Sequence, residues 1–295
     1  MVVQDQGEQA GAYLSMLLKR PGDARSAWEK FSSGAAPGEI DYAAVAQVLR
    51  HRGAPAREPE AARAALGEGR LAPATLTEFI DAFHLTPRHA GRLHRLLDGC
   101  ESVRVITESD LVDLKRLDTG PQPDTLALHE LHTIGPDGLP AEHQTIQVIQ
   151  ATTDNLTAYP YRFDTNELVV EVVRGGRVGE LFRVSDGLFG VSIVLDQPLN
   201  TGETSLMHHR FTFFYKNPPP TQFRRGVLGT MRDVTLWLQF HPSRPPARIW
   251  SGVWDRLDQA NAVEQREVRL DSDFSVQARY DSVTDSIVGF HWVWG

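Results

Sequence analysis

Near residue 118 the apolar residues change their spacing, and this change constrains the fold more than any motif in the chain. Before it, apolar side chains recur at three- and four-residue intervals, as in a helix with one buried stripe. After it they alternate, as in a strand with one buried face. A chain of 295 residues also exceeds the roughly 250 residues at which single cores stop growing. Two domains are therefore expected: a helical one over 1–113, a linker over 114–125 where LKRLDTGPQPDT gathers Gly, Pro and Asp, and a β domain over 126–295.

Five helices are expected in the first part. ARSAWEKF sets Trp28 and Phe31 three apart, and DYAAVAQVLRHRG puts Val45, Val48 and Leu49 on one stripe before Gly53. EPEAARAALGEG opens with two acids and closes on glycine, as the helix dipole and C-cap preferences favour. PATLTEFIDAF aligns Leu76, Phe79, Ile80 and Phe83 after Pro73, and TPRHAGRLHRLLDG starts from a Thr86 cap with Pro87 behind it. In the second part about eight segments alternate, among them QTIQVIQATT, HHRFTFFYKN, RDVTLWLQFHP and SIVGFHWVWG. No helical run separates them, so the sheet is expected to be mainly antiparallel and the domain a β-sandwich. Val234, Leu236, Leu238 and Phe240 fall on one face and predict core, as do Phe290, Trp292 and Trp294.

The stretch Gly67, Glu68, Gly69, Arg70, then Ala72, Pro73, Ala74, Thr75, Leu76, then Ala82, Phe83, His84, Leu85 resembles the Cro and phage-repressor (XRE) type helix-turn-helix family. The resemblance covers residues 24–99. It implies a repressor-like head in which EPEAARAALGEG is the recognition helix, and a regulator that binds DNA, as a dimer. Arg57, Arg63 and Arg70 are the groups placed to meet phosphate. The segments YPYRFD, VSDGLFGVSI and VGFHWVW resemble an uncharacterised β domain joined to such heads in actinobacterial proteins, which implies a sensor or dimerisation module and no chemistry. The recognition helix departs from the family pattern, since it opens Glu58, Pro59, Glu60 and continues with alanines where base-reading side chains belong. A second expectation follows from that departure: an adaptor that keeps the helix-turn-helix fold for protein contacts.

Charge supports neither half as a strongly basic domain, with 15 Lys+Arg against 17 Asp+Glu over 1–118 and 15 against 21 beyond. One cysteine, Cys100, excludes an internal disulfide and is expected to be an inert, partly buried thiol. No apolar run approaches a membrane span, and the N-terminus lacks the pattern of a secretory signal, so a cytoplasmic protein without membrane contact is expected. His129, His132 and His143 are the nearest histidine group and lack a helical ligand spacing. Adjacent His208 and His209 must point to opposite faces of a strand. There is no Gly-x-Ser-x-Gly elbow, and RGGRVGEL lacks the Gly-Lys-Ser/Thr ending of a phosphate loop and reads as a hairpin turn. The expectation is no catalytic residue, no metal and no cofactor. NPPPTQFRRG predicts an exposed proline-stiffened loop, with Phe223, Arg224 and Arg225 as a partner-contact patch.

Overall fold

The computed structural model describes residues 6–34, 36, 38–53, 58–116, 122–215, 218–256 and 261–295. It divides into two compact units, Met1–Thr107 and Glu108–Gly295. Helices come first and a mostly antiparallel β-rich region follows, as the change of period predicts. Arg57 and residues 117–121 of the expected linker lie outside the described residues.

The first unit contains α1 (Gln6–Lys19), α2 (Asp23–Glu29), α3 (Tyr42–His51), α4 (Pro59–Gly67), α5 (Pro73–Ala82), α6 (Pro87–Leu97) and a closing strand β1 (Val103–Ile106). That is one helix more than the apolar spacing predicted. The additional one is α1, whose buried face includes Ala10, Tyr13, Leu14 and Leu18. It lies against the end of α4 at backbone distance: a Cβ on Gly7 would stand 2.1 Å from the Gly69 carbonyl oxygen, and one on Gly11 would stand 2.5 Å from that of Ala65. Glycine is required at both positions because the neighbouring atoms are backbone and cannot move aside. α1 also fastens β1. The Gln9 side chain accepts from the Val105 amide at 2.6 Å and donates to its carbonyl at 3.3 Å.

Caps fix the helix starts. Asp41 accepts from the Ala43 and Ala44 amides ahead of α3, and Thr86 accepts from the His89 amide ahead of α6. Proline occupies the first turn of α4, α5 and α6. Leu76 and Phe79 are buried on α5, as their spacing predicts, and Phe79 stacks with Phe83 just past the helix end. Cys100 is exposed rather than partly buried.

The second unit holds β2 (Asp124–Ile134), β3 (Pro140–Gln150), β4 (Leu156–Phe163), β5 (Leu168–Arg174), β6 (Gly176–Ser185), β7 (Leu188–Leu199), β8 (Thr204–Phe213), β9 (Gln222–Gly226), β10 (Thr230–Phe240), β11 (Arg248–Trp254), β12 (Glu264–Val268), β13 (Ser275–Thr284) and β14 (Ile287–Val293). Its principal sheet runs β5-β8-β3-β2-β10-β13, beside sheets β12-β11-β14-β9 and β4-β7-β6. Within the principal sheet β2 and β10 are parallel, while the other pairs are antiparallel. One face of β10, with Val234, Leu236, Leu238 and Phe240, packs against Phe223, Ile249, Val288, Phe290 and Trp292 of the four-stranded sheet. Tyr161 of β4 stacks on Phe211 of β8 with ring centroids 3.7 Å apart, which lays the three-stranded sheet over the other end of the principal one. Gly175 and Gly176 are not a hairpin turn: β5 pairs with β8 and β6 with β7, so the chain passes from one sheet to another there. A Cβ on either glycine would approach a neighbouring carbonyl oxygen to 2.4 or 2.2 Å, which leaves no room for a side chain at the corner.

Among the described residues, no helix is long and apolar enough to cross a membrane.

The close approach of α1 predicts opposite effects for two glycine substitutions. Gly11→Val is expected to destabilise the helical unit by about 1–3 kcal/mol through overpacking. Gly91→Ala, at an α6 position where an added Cβ meets nothing within 4 Å, should stabilise it by about 0.5–1 kcal/mol. Urea titration followed by far-ultraviolet circular dichroism measures both, and a neutral Gly11→Val would contradict the packing described.

Candidate functional site

Side chains of the principal sheet alternate between faces, and the inner face carries a polar group across two adjacent rungs. On one rung Leu236, Glu130, Thr145, His209 and Val172 are neighbours, from β10, β2, β3, β8 and β5. The next rung reads Leu238, His132, His143, Phe211 and Val170. Glu130, His132, His143, Thr145 and His209 are all buried, in two rungs otherwise made of aliphatic and aromatic side chains, and Gln147 is buried on the adjoining rung between Leu128 and Met207. Buried polar groups need partners, and a buried carboxylate needs a charged one.

Arg225 supplies it from β9. Its Nη1 lies 3.1 Å from Glu130 Oε1, and its Nη2 donates to the Tyr159 hydroxyl of β4 at 3.3 Å. His143 Nε2 faces the same carboxylate oxygen at 3.3 Å and also contacts the Thr145 hydroxyl at 3.1 Å. On the far side of the ring, His143 Nδ1 is 3.4 Å from His132 Nδ1. The His132 ring lies parallel to Phe223, with centroids 4.6 Å apart and 7° between planes. A chain of contacts thus runs Arg225, Glu130, His143, His132.

The electrostatics follow from burial and these neighbours. Burial would raise the Glu130 carboxyl, but the Arg225 guanidinium overrides it, with help from His143, and holds the group at about 2. Burial lowers His132 to about 3, with the charge of His143 acting in the same direction. His209 is lowered to about 3, again by burial first. Burial and then the Glu130 charge push the Tyr161 phenol well above its usual range, which keeps it neutral. Burial opposes the charge on Arg225, yet Glu130 and the two tyrosines raise it, so the guanidinium stays protonated.

Glu130, His132, His143, Tyr159, Tyr161 and Arg225 border a pocket of about 680 Å³, whose lining also includes Phe213, Phe223 and Arg224. At the same pocket the Tyr215 hydroxyl donates to Asp164 at 3.1 Å. Several buried polar atoms in the cluster have no hydrogen-bond partner: Glu130 Oε2, His132 Nε2, both ring nitrogens of His209, and Arg225 Nε. Such atoms are few in folded proteins, and each of these is closed off from solvent. Among the described residues, no group of three or more His, Cys, Asp or Glu side chains is arranged to hold a metal ion.

The three side chains expected to meet a partner, Phe223, Arg224 and Arg225, belong to β9 rather than to an open loop. Phe223 is buried and Arg225 is turned to Glu130, so what these two meet is the inside of the pocket. Arg224 lies over the Trp254 ring at 4.3 Å. Of the arginines expected at DNA, Arg63 is exposed on α4 and lies over the Tyr42 ring at 5.3 Å. Arg70 is exposed after α4 and paired loosely with Glu68 at 3.6 Å. Glu58 and Glu60 are exposed at the start of α4. His129 points away from the cluster, exposed, while His132 and His143 belong to it, and His208 and His209 take opposite faces as adjacency requires.

The sequence reading passed over Glu130, Thr145 and Tyr161. Their signal was phase: in LHELHTI the core-facing positions read Leu128, Glu130, His132, Ile134, so two polar residues occupy the apolar phase of a buried strand.

No family model matches the chain, and no curated protein matches it. Among solved structures it is similar to a protein from Parabacteroides distasonis described provisionally as a protease, with 9% identity and a TM-score of 0.40. The match covers 58% of this chain and 40% of that one, so this chain spans less than half of that protein's length. A likeness that low carries no conclusion about fold or chemistry.

The lowered histidines set an acid limit for the β-rich unit. His132 and His209 titrate near 6.5 when unfolded and near 3 when folded. Below 6.5 the unfolded chain therefore binds more protons, and stability falls as pH falls through that window. The two together should remove up to about 2.7 kcal/mol per pH unit, and Glu130 adds to the loss below its usual 4.5. Urea midpoints read by tryptophan fluorescence should be level above about pH 7 and fall steadily below 6.5. His209→Leu should reduce the slope by about half. A profile level down to pH 4.5 would contradict the buried, neutral histidines.

Proposed function

We propose that the protein is a ligand-sensing transcriptional regulator: a helix-turn-helix head that binds DNA, as a dimer in the cytoplasm, joined to a β-sandwich that senses a small molecule. The observation that carries the reading is the buried Glu130–Arg225 pair, with its unpartnered atoms, at the wall of a 680 Å³ pocket. A buried carboxylate–guanidinium pair is weak evidence for a stabilising role, because apolar residues of similar volume often serve as well or better. A recognition pocket has a use for one, since a few fixed polar groups among aromatic walls give orientation and selectivity. Support for the head comes from α4 and the turn after it, where Arg63 and Arg70 are exposed.

A second reading rests on a specific observation as well. Glu58 and Glu60 are exposed at the end of α4 that would approach the bases, where carboxylates repel phosphate. An adaptor that docks a protein through this helix accounts for them without that penalty.

Selection of genomic fragments by the purified chain at low and moderate salt separates the two. A regulator enriches a defined set. Arg63→Ala and Arg70→Ala should each weaken binding across all sequences and reduce the salt slope by about one. Absence of any enriched fragment at low salt would eliminate DNA binding and favour the adaptor.

A further inference from the structure

Two sheet edges border the pocket. Among the described residues β4 pairs only with β7 and ends the three-stranded sheet, and β9 pairs only with β14 and ends the four-stranded sheet. Both sheets cover the same face of the principal sheet, and they approach each other over His143. Its ring centroid is 5.4 Å from that of Phe223 on β9 and 6.4 Å from that of Tyr161 on β4. The pocket wall takes residues 159–164, from β4 and its end, and the whole of β9 (Gln222–Gly226), without a gap in either run. Side chains alternate along a strand, so a strand seen face-on contributes every second residue. An unbroken run is a strand seen edge-on, with its backbone along the wall.

Hydrogen-bond parity identifies the backbone groups that point there. In an antiparallel ladder alternate residues turn their N–H and C=O to opposite sides. The Trp292 amide donates to the Thr221 carbonyl at 3.0 Å and the Val227 amide to the Ser286 carbonyl at 2.9 Å, so the odd-numbered residues of the β9 segment face β14. Gly226, exposed and even-numbered, turns its N–H and C=O away from β14. On β4, Pro160 sits opposite Ser192 and has no N–H to give β7, as suits a residue whose backbone faces away from the partner strand. Arg162, two residues on and exposed, shares that direction. Two edges of this kind on one pocket are complementary to a third strand, whose backbone satisfies both and joins the two sheets into one layer.

We propose that the pocket binds a short peptide in extended conformation, as an added strand between β4 and β9. Its length follows from the five residues of β9, about 17 Å of strand at about 3.3 Å per residue. The 680 Å³ volume falls within the usual range for small-ligand sites of about 300–1,000 Å³. Main-chain pairing supplies affinity and side chains supply selectivity. Arg225 and Tyr159, both turned inward, meet at 3.3 Å between the two strands, so the inward side chain of the guest above them is small: Gly, Ala or Ser. The charged residues of the lining balance, Arg162, Arg224 and Arg225 against Glu130, Asp164 and Asp186, which suits a zwitterion without net charge. The proposal rests on the sensor reading of the β-rich unit, under which the occupant is a free molecule, and narrows it to a peptide. The guest pairs with the strand edges and does not touch the enclosed atoms of the Glu130–Arg225 pair.

The test offers the full chain a pool of pentapeptides with free termini, randomised at every position, and reads the bound fraction by mass spectrometry after gel filtration. Peptides with Gly, Ala or Ser at one internal position should be enriched and should bind saturably in isothermal titration. Methylating two alternate backbone nitrogens of an enriched peptide should weaken it by about tenfold or more, through the loss of main-chain bonds. Unchanged affinity would overturn the added strand. Gly226→Pro removes a donor on the pocket side without touching the pairing with β14, and should weaken the same peptide by about fivefold; the methylated peptide carries the test should this variant fail to fold. A non-peptide fragment library, scored by melting temperature, separates this proposal from the sensor reading. Fragments that stabilise the chain while no peptide is enriched would overturn the peptide and leave the sensor reading in place, and failure of both would overturn the two together. Tighter binding of the same five residues inside a longer chain would assign the pocket to a segment of a partner protein and overturn the free peptide.

Discussion

A carboxylate and a guanidinium withdrawn from water tie the three sheets of the β-rich unit to one another. Glu130 belongs to β2 of the principal sheet, Arg225 to β9 of the four-stranded sheet, and the Tyr159 that receives the second Arg225 amino group to β4 of the three-stranded sheet. Taking both charges out of water costs several kcal/mol per ion, which their attraction recovers only where geometry and further hydrogen bonds allow. His143 and Thr145 provide such bonds on one oxygen of Glu130, and the other oxygen has none. Apolar packing elsewhere in the unit, above all the layer of Val234, Leu236, Leu238, Phe240 and Phe290, must therefore support the pair rather than be supported by it. Stability is held in the core cluster at one end of the principal sheet, and the middle of that sheet carries the buried polar cluster.

The division is built from the alternation of the strands. Leu128 and Ile134 of β2 belong to the apolar core, while Glu130 and His132 between them occupy the same face. Neighbouring β3 repeats the arrangement with His143 and Thr145 ahead of Ile149, and β8 places His209 between Met207 and Phe211. Three strands of the principal sheet contribute the carboxylate, imidazoles and hydroxyl, and register alone brings them side by side. The two-residue period was legible in the sequence, and it located the faces of β10 and β14 correctly. Register was not, because it depends on which strand pairs with which. The parallel pairing of β2 with β10, across all the strands between them in sequence, has no local signature.

The same reason explains Phe223, Arg224 and Arg225. Three prolines just before them favour an extended chain, and the sequence shows nothing of the β14 strand that captures this segment in an antiparallel pairing. Once paired, alternation turns Phe223 and Arg225 inward and Arg224 toward Trp254. The corner at Gly175 and Gly176 failed in the same manner: a glycine pair between two strands suggests a hairpin, and only the tertiary pairing shows that the strands belong to different sheets. In the helical unit the capped and proline-started helices were legible because their signals are local. α1 was missed because its evidence is packing: Gly7 and Gly11 look unfavourable for a helix until α4 is known to lie against them.

α4 shows how weakly such a framework determines function. Its inward Ala62 and Ala65 are small enough for Gly7 and Gly11 of α1 to approach closely, and with Leu66 they set the position of the helix whatever its outward face carries. That outward face is where Glu60 and Arg63 lie. At the N-terminal end, carboxylates are favoured by the helix dipole, typically by about 0.3–1 kcal/mol each. The α4 start lacks a side-chain cap, since Glu58 makes no capping hydrogen bond, so the acids supply part of the stabilisation a Ser or Asp cap would give. At these two positions helix stability and phosphate binding oppose each other, and the sequence has taken the side of stability. Any affinity for nucleic acid would then have to come from arginines further along α4 and beyond its end, away from the N-terminal part where helix-turn-helix proteins ordinarily read bases.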